Sequence, residues 1–279
     1  MHAHITALVS AALAEDAPWG DITSENLVPA SAGLSAQLVA REPGVFSGVD
    51  LLRTAFELVD PSLEVELYTE DGARFAAGET LAAIHGSARA ILRAERIALN
   101  FVQRTSAIAT TTSRYVDAIA GTKARIVDTR KTTPGLRLIE RQAVRNGGGF
   151  NHRTTLSDAV MVKDNHLASL LAAGIGVTEA LIQLRQKLPH TTHIEVEVDR
   201  LDQIDAVLEA GVDTIMLDNF SLADLEKGVA HIGGRALVEA SGGVNLDTVA
   251  AIAATGVDII SVGALTHSIK ALDLGLDVV

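Results

Sequence analysis

Between Arg125 and Lys163 the sequence places eight basic residues against three acids. The whole chain carries a formal net charge of −12, so this segment is a cationic patch in an acidic molecule. A patch of that kind concentrates its field on a small anion. Arg130 and Lys131 are adjacent, His152 and Arg153 follow Asn146 and three glycines, and Lys163 opens Lys163-Asp-Asn-His166. Guanidinium groups grip carboxylates in a two-pronged fork, while lysine acts as a compact point charge. Three consecutive glycines in a helical context imply a break and a close backbone approach. The chemistry implied is the holding of a small, multiply anionic substrate.

A second group of residues suits phosphate. Ser241-Gly242-Gly243 and Gly263-Ala264 are glycine-bearing turns, each followed by a helical pattern. Such turns, and the helix starts behind them, present backbone N–H groups to anions. Glu197 and Asp218 are hard oxygen donors and are candidates for a Mg2+ site beside substrate phosphates. Glu195 shares its strand parity with Glu197, and the sequence alone does not choose between them. His2, His4, His190, His193 and His231 have no partner pattern, and no zinc-ligand spacing is present.

These residues are positioned by two differently patterned halves. Residues 1–106 read as a mixed α+β unit. It has a short helix near Ile5–Ala14, strands at Leu34–Arg41, Glu64–Tyr68 and Thr80–His85, and a helix over Ser87–Gln103. Residues 107–267 alternate. Strands are expected at Ala124–Val127, Ala159–Val162, His193–Val198, Thr214–Leu217, Leu237–Glu239 and Ile259–Val262. Helical patterns fall at Leu167–Lys187, Asp202–Ala210, Leu222–Ile232 and Leu246–Ala254. Short apolar strands separated by helices predict a parallel sheet covered by helices. The absence of Gly-x-Gly-x-x-Gly after the first strand favours a (β/α) barrel over a dinucleotide-binding sheet. Except for His152 and Arg153, which follow the triple-glycine break, the candidate residues from Arg130 onward then fall near strands' C-terminal ends, where a barrel gathers its active site.

Composition sets the class. Hydrophobic residues make up 48% and charged residues 21% of the 279, as expected of a globular rather than a disordered chain. The acidic balance argues against a nucleic-acid binder. Cysteine is absent, which fits a reducing compartment. No secretory signal or run of apolar residues long enough for a membrane span is evident, so the cytoplasm is expected.

Longer motifs carry a resemblance. Asp128-Thr-Arg-Lys-Thr-Thr-Pro-Gly-Leu-Arg137, Gly147-Gly-Gly-Phe-Asn-His-Arg153, Val162-Lys-Asp-Asn-His166, Leu217-Asp-Asn219 and Ala240-Ser-Gly-Gly243 resemble the quinolinate phosphoribosyltransferase family. Gly20-Asp-Ile-Thr23, Glu95–Asn100, Gln103-Arg104 and Leu265-Thr-His-Ser268 extend the likeness over nearly the whole chain. Thr105, Ala107 and Phe150 depart from the family pattern, and the charged set does not. The resemblance implies an α/β fold of the type II phosphoribosyltransferase kind. An N-terminal α/β sandwich (1–106, with 268–279 returning to it) would precede an incomplete (β/α) barrel (107–267). It implies transfer of phosphoribosyl from phosphoribosyl pyrophosphate to quinolinate with decarboxylation. It also implies a homodimer with shared sites, into which Arg104 reaches from the partner. Arg130, His152 and Arg153 would surround quinolinate, and Lys131 and Lys163 would lie near substrate and pyrophosphate. Glu197 and Asp218 would lie near ribose and Mg2+. Ser241, Gly242, Gly243, Gly263, Ala264 and His267 would lie around the 5′-phosphate. A barrel family linked to molybdenum transport shares parts of this pattern, but Asn151-His152-Arg153 and Lys163–His166 favour the quinolinate family. Two other classes fit parts of the pattern: a lyase using Lys163 as a Schiff base, and a non-catalytic anion binder.

Overall fold

The computed structural model describes residues 2–279. Helices α1 (His2–Asp16) and α2 (Ile22–Leu27) lead into β1 (Gly33–Ala40), β2 (Gly44–Val45), α3 (Val49–Val59), β3 (Glu64–Leu67), β4 (Arg74–Phe75) and β5 (Thr80–Ser87). The long α4 (Ala88–Ala118) follows, then β6 (Arg125–Val127), α5 (Arg137–Asn146) and β7 (Val160–Val162). Next come α6 (Asp164–Ala172), α7 (Val177–Lys187), β8 (Ile194–Val198), α8 (Ile204–Glu209), β9 (Thr214–Asp218) and α9 (Leu222–Ile232). The chain ends with β10 (Leu237–Ser241), α10 (Val249–Ala254), β11 (Ile259–Ser261), α11 (Ala264–His267) and β12 (Leu274–Val278).

The chain divides into two compact units. One comprises the N-terminus to Ser113, residues 134–148 and residues 268–279; the other comprises residues 114–133 and 149–267. The expected division at 106/107 differs from this in two segments. Residues 107–113 stay with the first unit, whose core includes Ala107, and α4 passes from one unit to the other at Arg114. Residues 134–148 join it because α5 places Ile139 in that unit's core.

The first unit is built on a four-stranded sheet in the order β12-β1-β5-β3. All its pairs are antiparallel, and β12 lies along β1 with Ala36 opposite Val278. Alternate residues of β1 (Ala36, Leu38, Ala40) point into a core with Phe46, Phe56, Ile84 and Ile91. That alternation is the strand period of two meeting an apolar interior.

Gly147 shows why a glycine ends α5. A Cβ there would strike the carbonyl oxygen of Ala109 and stand 2.6 Å from Thr112 Cβ, both on α4. Its φ of −78° is ordinary, so the requirement is space. Gly147→Ala is expected to cost about 1–3 kcal/mol through overpacking. A lower midpoint in urea unfolding checks it; an unchanged midpoint would show that α4 and α5 part freely.

The second unit carries six parallel strands in the order β6-β11-β10-β9-β8-β7. Consecutive strands from β7 to β11 are neighbours, and β6 joins beyond β11. A closed barrel would also pair β6 with β7. The sheet instead ends at these two edges, with one parallel bridge from Val127 to Phe150 beside β6. This is the incomplete barrel. The central strands are buried along nearly their whole length, as helix-covered parallel strands must be.

The single helix expected over Leu167–Lys187 is two helices, α6 and α7, bent by 110°. Gly174 lies at φ 70° in the gap, a left-handed conformation that ends α6. No single helix among the described residues is long and apolar enough to cross a membrane.

Candidate active site

In the second unit, the strands' C-terminal ends surround a cavity of about 620 Å³. Arg130 and Lys131 reach it from the segment after β6, His152 and Arg153 from the glycine loop, and Lys163 from the end of β7. Glu197 on β8, Asp218 on β9, and Ser241, Gly242 and Gly243 at the end of β10 complete most of the wall. The expected residues Gly263, Ala264 and His267 lie just after β11. A Cβ on Gly263 would stand 3.1 Å from both His267 Nε2 and Lys131 Cδ, so this turn packs directly under one of the cavity's lysines. Thr266 ties the same corner down by donating its hydroxyl to the Lys131 carbonyl at 2.7 Å.

The phosphate-type turns differ from expectation in how they are built. Gly242 and Gly243 have φ of 89° and 62°, and α10 begins only at Val249. The helix after Gly263 is a single turn. The turns therefore offer an anion their backbone amides rather than a helix start. A side chain at Gly242 would collide with the Asn219 amide and stand 3.0 Å from its backbone nitrogen. Asn219 itself lies at φ 58°, the one non-glycine residue with positive φ among those described. Asparagine tolerates this left-handed conformation better than most residues.

The loop carrying His152 and Arg153 is held by Asp128, which is fully buried at the end of β6. Its Oδ2 accepts from Asn151 Nδ2 at 2.6 Å and its Oδ1 from the His152 backbone N–H at 2.8 Å. Asp128 was legible only as an acid at a strand end; its anchoring role was not.

At the cavity lining His152 meets two buried carboxylates. Its Nε2 lies 2.9 Å from Glu195 Oε2 and 3.5 Å from Glu239 Oε2. Burial works against a charge on the ring, but hydrogen bonds to Glu195 and Glu239 and their charges outweigh it and push His152 up to about 10. Burial pushes Glu195 up to about 7; the hydrogen bond to His152 opposes the rise and the Glu239 charge adds to it. Two proton arrangements satisfy the cluster: an imidazolium over two carboxylates, or a neutral ring over one carboxylate and one carboxylic acid. They carry the same net charge. The Arg153 amide decides between them, because it donates to His152 Nδ1 at 2.7 Å and a protonated nitrogen cannot accept. With Nδ1 accepting, the ring takes the Nε2–H form, and the extra proton that the raised His152 value calls for is held by the cluster on its carboxylate side. The Oε1 atoms of Glu195 and Glu239 are buried without a donor.

The same geometry bears on metals. His152, Glu195 and Glu239 offer ligand-type atoms within 4.8 Å of one another. A metal-binding nitrogen needs its lone pair, and here the Nε2 lone pair is covered by a proton. Glu197 and Asp218 stand on the cavity wall. Glu197 Oε2 accepts from Lys163 Nζ at 2.6 Å and Asp218 Oδ2 from Asn219 Nδ2 at 2.6 Å. Hard oxygens beside two lysines fit a cation that keeps most of its waters. The structure separates Glu195 and Glu197 by position: Glu195 is buried against His152, and Glu197 is on the cavity wall.

Arg130 and Arg153 place two guanidiniums on the same wall. Arg130 Nε is buried without an acceptor. Burial first, and then the Arg130 charge, hold Arg153 below the usual arginine value. Arg104 lies in the first unit, where its Nε and Nη2 donate to Glu140 Oε1 at 2.9 and 2.6 Å. Glu140 is fully buried, and sequence reasoning had counted it only as one of three acids in the cationic segment.

Cations for carboxylates, turns for phosphate and acids for a hard cation share one mouth of an open α/β barrel. Together they define an enzyme acting on carboxylated and phosphorylated small molecules. Comparison with known proteins carries this further. Residues 21–106 match the family model described as "Quinolinate phosphoribosyl transferase, N-terminal domain" and residues 108–277 the corresponding C-terminal domain. A nicotinate-nucleotide pyrophosphorylase [carboxylating] of Mycobacterium leprae is 45% identical over 95% of this chain and 94% of its own. A Bacillus subtilis protein described as a probable enzyme of the same name is 40% identical over 99% and 94%. The solved nicotinate-nucleotide pyrophosphorylase of Francisella tularensis superposes with a TM-score of 0.93 at 38% identity, covering 100% of this chain and 97% of that one. The chain belongs to the quinolinate phosphoribosyltransferase family.

Proposed function

We propose that the chain transfers the phosphoribosyl group of phosphoribosyl pyrophosphate to quinolinate and releases CO2. The observation that carries this is the convergence of Arg130, Arg153, Lys131 and Lys163 on one cavity with Glu197, Asp218 and the Ser241–Gly243 turn. Two guanidiniums answer the two quinolinate carboxylates, which fixes the ring nitrogen against the ribose carbon by orientation. The nitrogen lone pair forms the new bond to that carbon as its bond to pyrophosphate breaks, and pyrophosphate leaves with the electron pair. Lys131 and Lys163 stabilise the charge that develops on it. The pyridinium then accepts the electron pair released when the adjacent carboxylate departs as CO2, and a proton from water replaces it. The products are nicotinate mononucleotide, pyrophosphate and CO2.

Mg2+ is the cation this site suits, and when bound it would neutralise charge on the pyrophosphate. Glu197 and Asp218 would hold it. Lys163 already occupies Glu197, so a contact through water is the better fit. A homodimer with shared sites completes the reading: Arg104, braced on Glu140, would serve the partner's mouth. The absence of cysteine suits a cytoplasmic location.

The direct test is product formation. Purified protein with Mg2+, quinolinate and phosphoribosyl pyrophosphate should yield nicotinate mononucleotide and CO2 in equal amounts; no product would overturn the reading. Shared sites have their own test. Mixing inactive Arg104→Ala protein with inactive Lys163→Ala protein should restore about a quarter of wild-type turnover, since random dimers contain one intact site in two of four cases. No recovery after subunit exchange would count against sharing.

A further inference from the structure

The cluster of His152 and Glu239 on the cavity lining with Glu195 behind them supports a further assignment. Both ring nitrogens of His152 are engaged inside the protein. Nδ1 accepts the Arg153 amide at 2.7 Å, and Nε2 faces Glu195 Oε2 at 2.9 Å and Glu239 Oε2 at 3.5 Å. Glu195 and Glu239 are 3% and 1% exposed. A ring held on both nitrogens has no nitrogen left to aim at a substrate carboxylate. It can instead act as a post between a buried acidic pair and the backbone of the next residue.

We propose that Glu195 and Glu239 are positioning residues of the quinolinate subsite: they take the Nε2–H of His152, fix the ring so that Nδ1 accepts the Arg153 amide, and so set where Arg153 enters the cavity. The arrangement is the one that holds a metal-bound or catalytic histidine in one tautomer, with a carboxylate on the far nitrogen. Here the group being aimed is a neighbouring arginine. Asp128 holds the same loop from the other side through the His152 N–H and the Asn151 side chain. Asp128 directly follows β6, and Glu195 and Glu239 lie on β8 and β10. Three strands thus converge on one loop, and what that loop presents to the cavity is Arg153. Its Nη1 donates to the Ala159 carbonyl at 3.1 Å, a second tether that works only if the backbone is correctly placed.

The inference rests on the quinolinate reading for its kinetics but not for its geometry, and the test separates the two. Protein labelled with 15N at histidine, without substrate, should show His152 with one protonated and one bare nitrogen, and quinolinate should leave that pattern unchanged. Two protonated nitrogens, or a ring signal that changes state on quinolinate binding, would make His152 the substrate's own ligand and overturn the proposal. Glu195→Leu removes the acceptor at similar volume. It should raise the quinolinate KM roughly ten- to a hundredfold, the scale of a misplaced binding group, and leave the phosphoribosyl pyrophosphate KM unchanged. Glu195→Gln keeps an oxygen for Nε2–H and should recover most of the quinolinate affinity. Equal losses for both substrates, or no recovery in Glu195→Gln, would mean the pair supports the fold and does not aim Arg153. Should Glu195→Leu fail to fold, the wild-type nitrogen pattern and Glu239→Gln, read by the same split in KM, still decide. Inactivity of the wild-type protein toward quinolinate would sink the substrate reading and leave the nitrogen pattern as the test of geometry.

Discussion

Arg153→Ala should lower kcat/KM for quinolinate about 10²- to 10³-fold while the protein remains folded. The magnitude follows from removing one partner of a desolvated, charge-assisted pair, which costs roughly 2–5 kcal/mol. The direction follows from the apo geometry. Arg153 and Arg130 share one wall, and the Arg130 charge and burial already weigh against Arg153's own. A substrate with two carboxylates relieves that repulsion, whereas one with a single carboxylate relieves only part of it. Loss of Arg153 therefore removes attraction in the complex and repulsion in the free protein. Unfolding of the free variant should occur at or slightly above the wild-type urea midpoint. Quinolinate, which should stabilise the wild type by mass action, should no longer shift the variant's midpoint. Wild-type kcat/KM in the variant would remove Arg153 from the site. A large drop in the free protein's stability would instead mean that the tether to Ala159 matters more than the charge.

The strands and their ends were legible in the sequence because a parallel strand is a short apolar run and its end is marked by the first charged or glycine residues. Asp128, Lys163 and Asp218 follow such runs directly, Ser241 stands two residues past Glu239, and barrel geometry then places them together. The cluster was not legible in the same way. Glu195 and Glu197 have the same parity, so alternation sends both inward; only their positions in the structure separate the role of one from the other. That Glu195 meets Glu239 depends on two strands separated by β9, and no local pattern encodes such a contact. The division of residues 164–187 into two helices was hidden for another reason. The apolar period continues through Gly174-Ile175-Gly176, and only the positive φ at Gly174 stops it. Glu140 looked like one acid on a basic helix face. Its burial against Arg104 is a tertiary fact that charge counting spreads over the whole segment.

Lys163→Met should reduce kcat about 10²- to 10³-fold, the usual scale for losing one preorganised charge that acts on the transition state. The quinolinate KM should change far less, because the two guanidiniums stay in place. The more discriminating consequence concerns Glu197. In the free protein Lys163 Nζ lies 2.6 Å from Glu197 Oε2, and the Glu197 side chain is only 13% exposed. Removing the ammonium leaves a largely buried carboxylate without its counter-charge, which is costly unless another cation takes its place. The variant without substrate should therefore bind Mg2+ more tightly than wild type in a calorimetric titration, even as turnover falls. A general weakening of the site would depress both, so opposite movements identify Lys163 and the cation as competitors for one carboxylate. The same ion pair argues against Schiff-base chemistry, which needs a desolvated neutral amine at Lys163. Borohydride with a carbonyl substrate should consequently trap no adduct on the wild-type protein, and a trapped Lys163 adduct would reverse the assignment of the residue from electrostatic stabiliser to nucleophile.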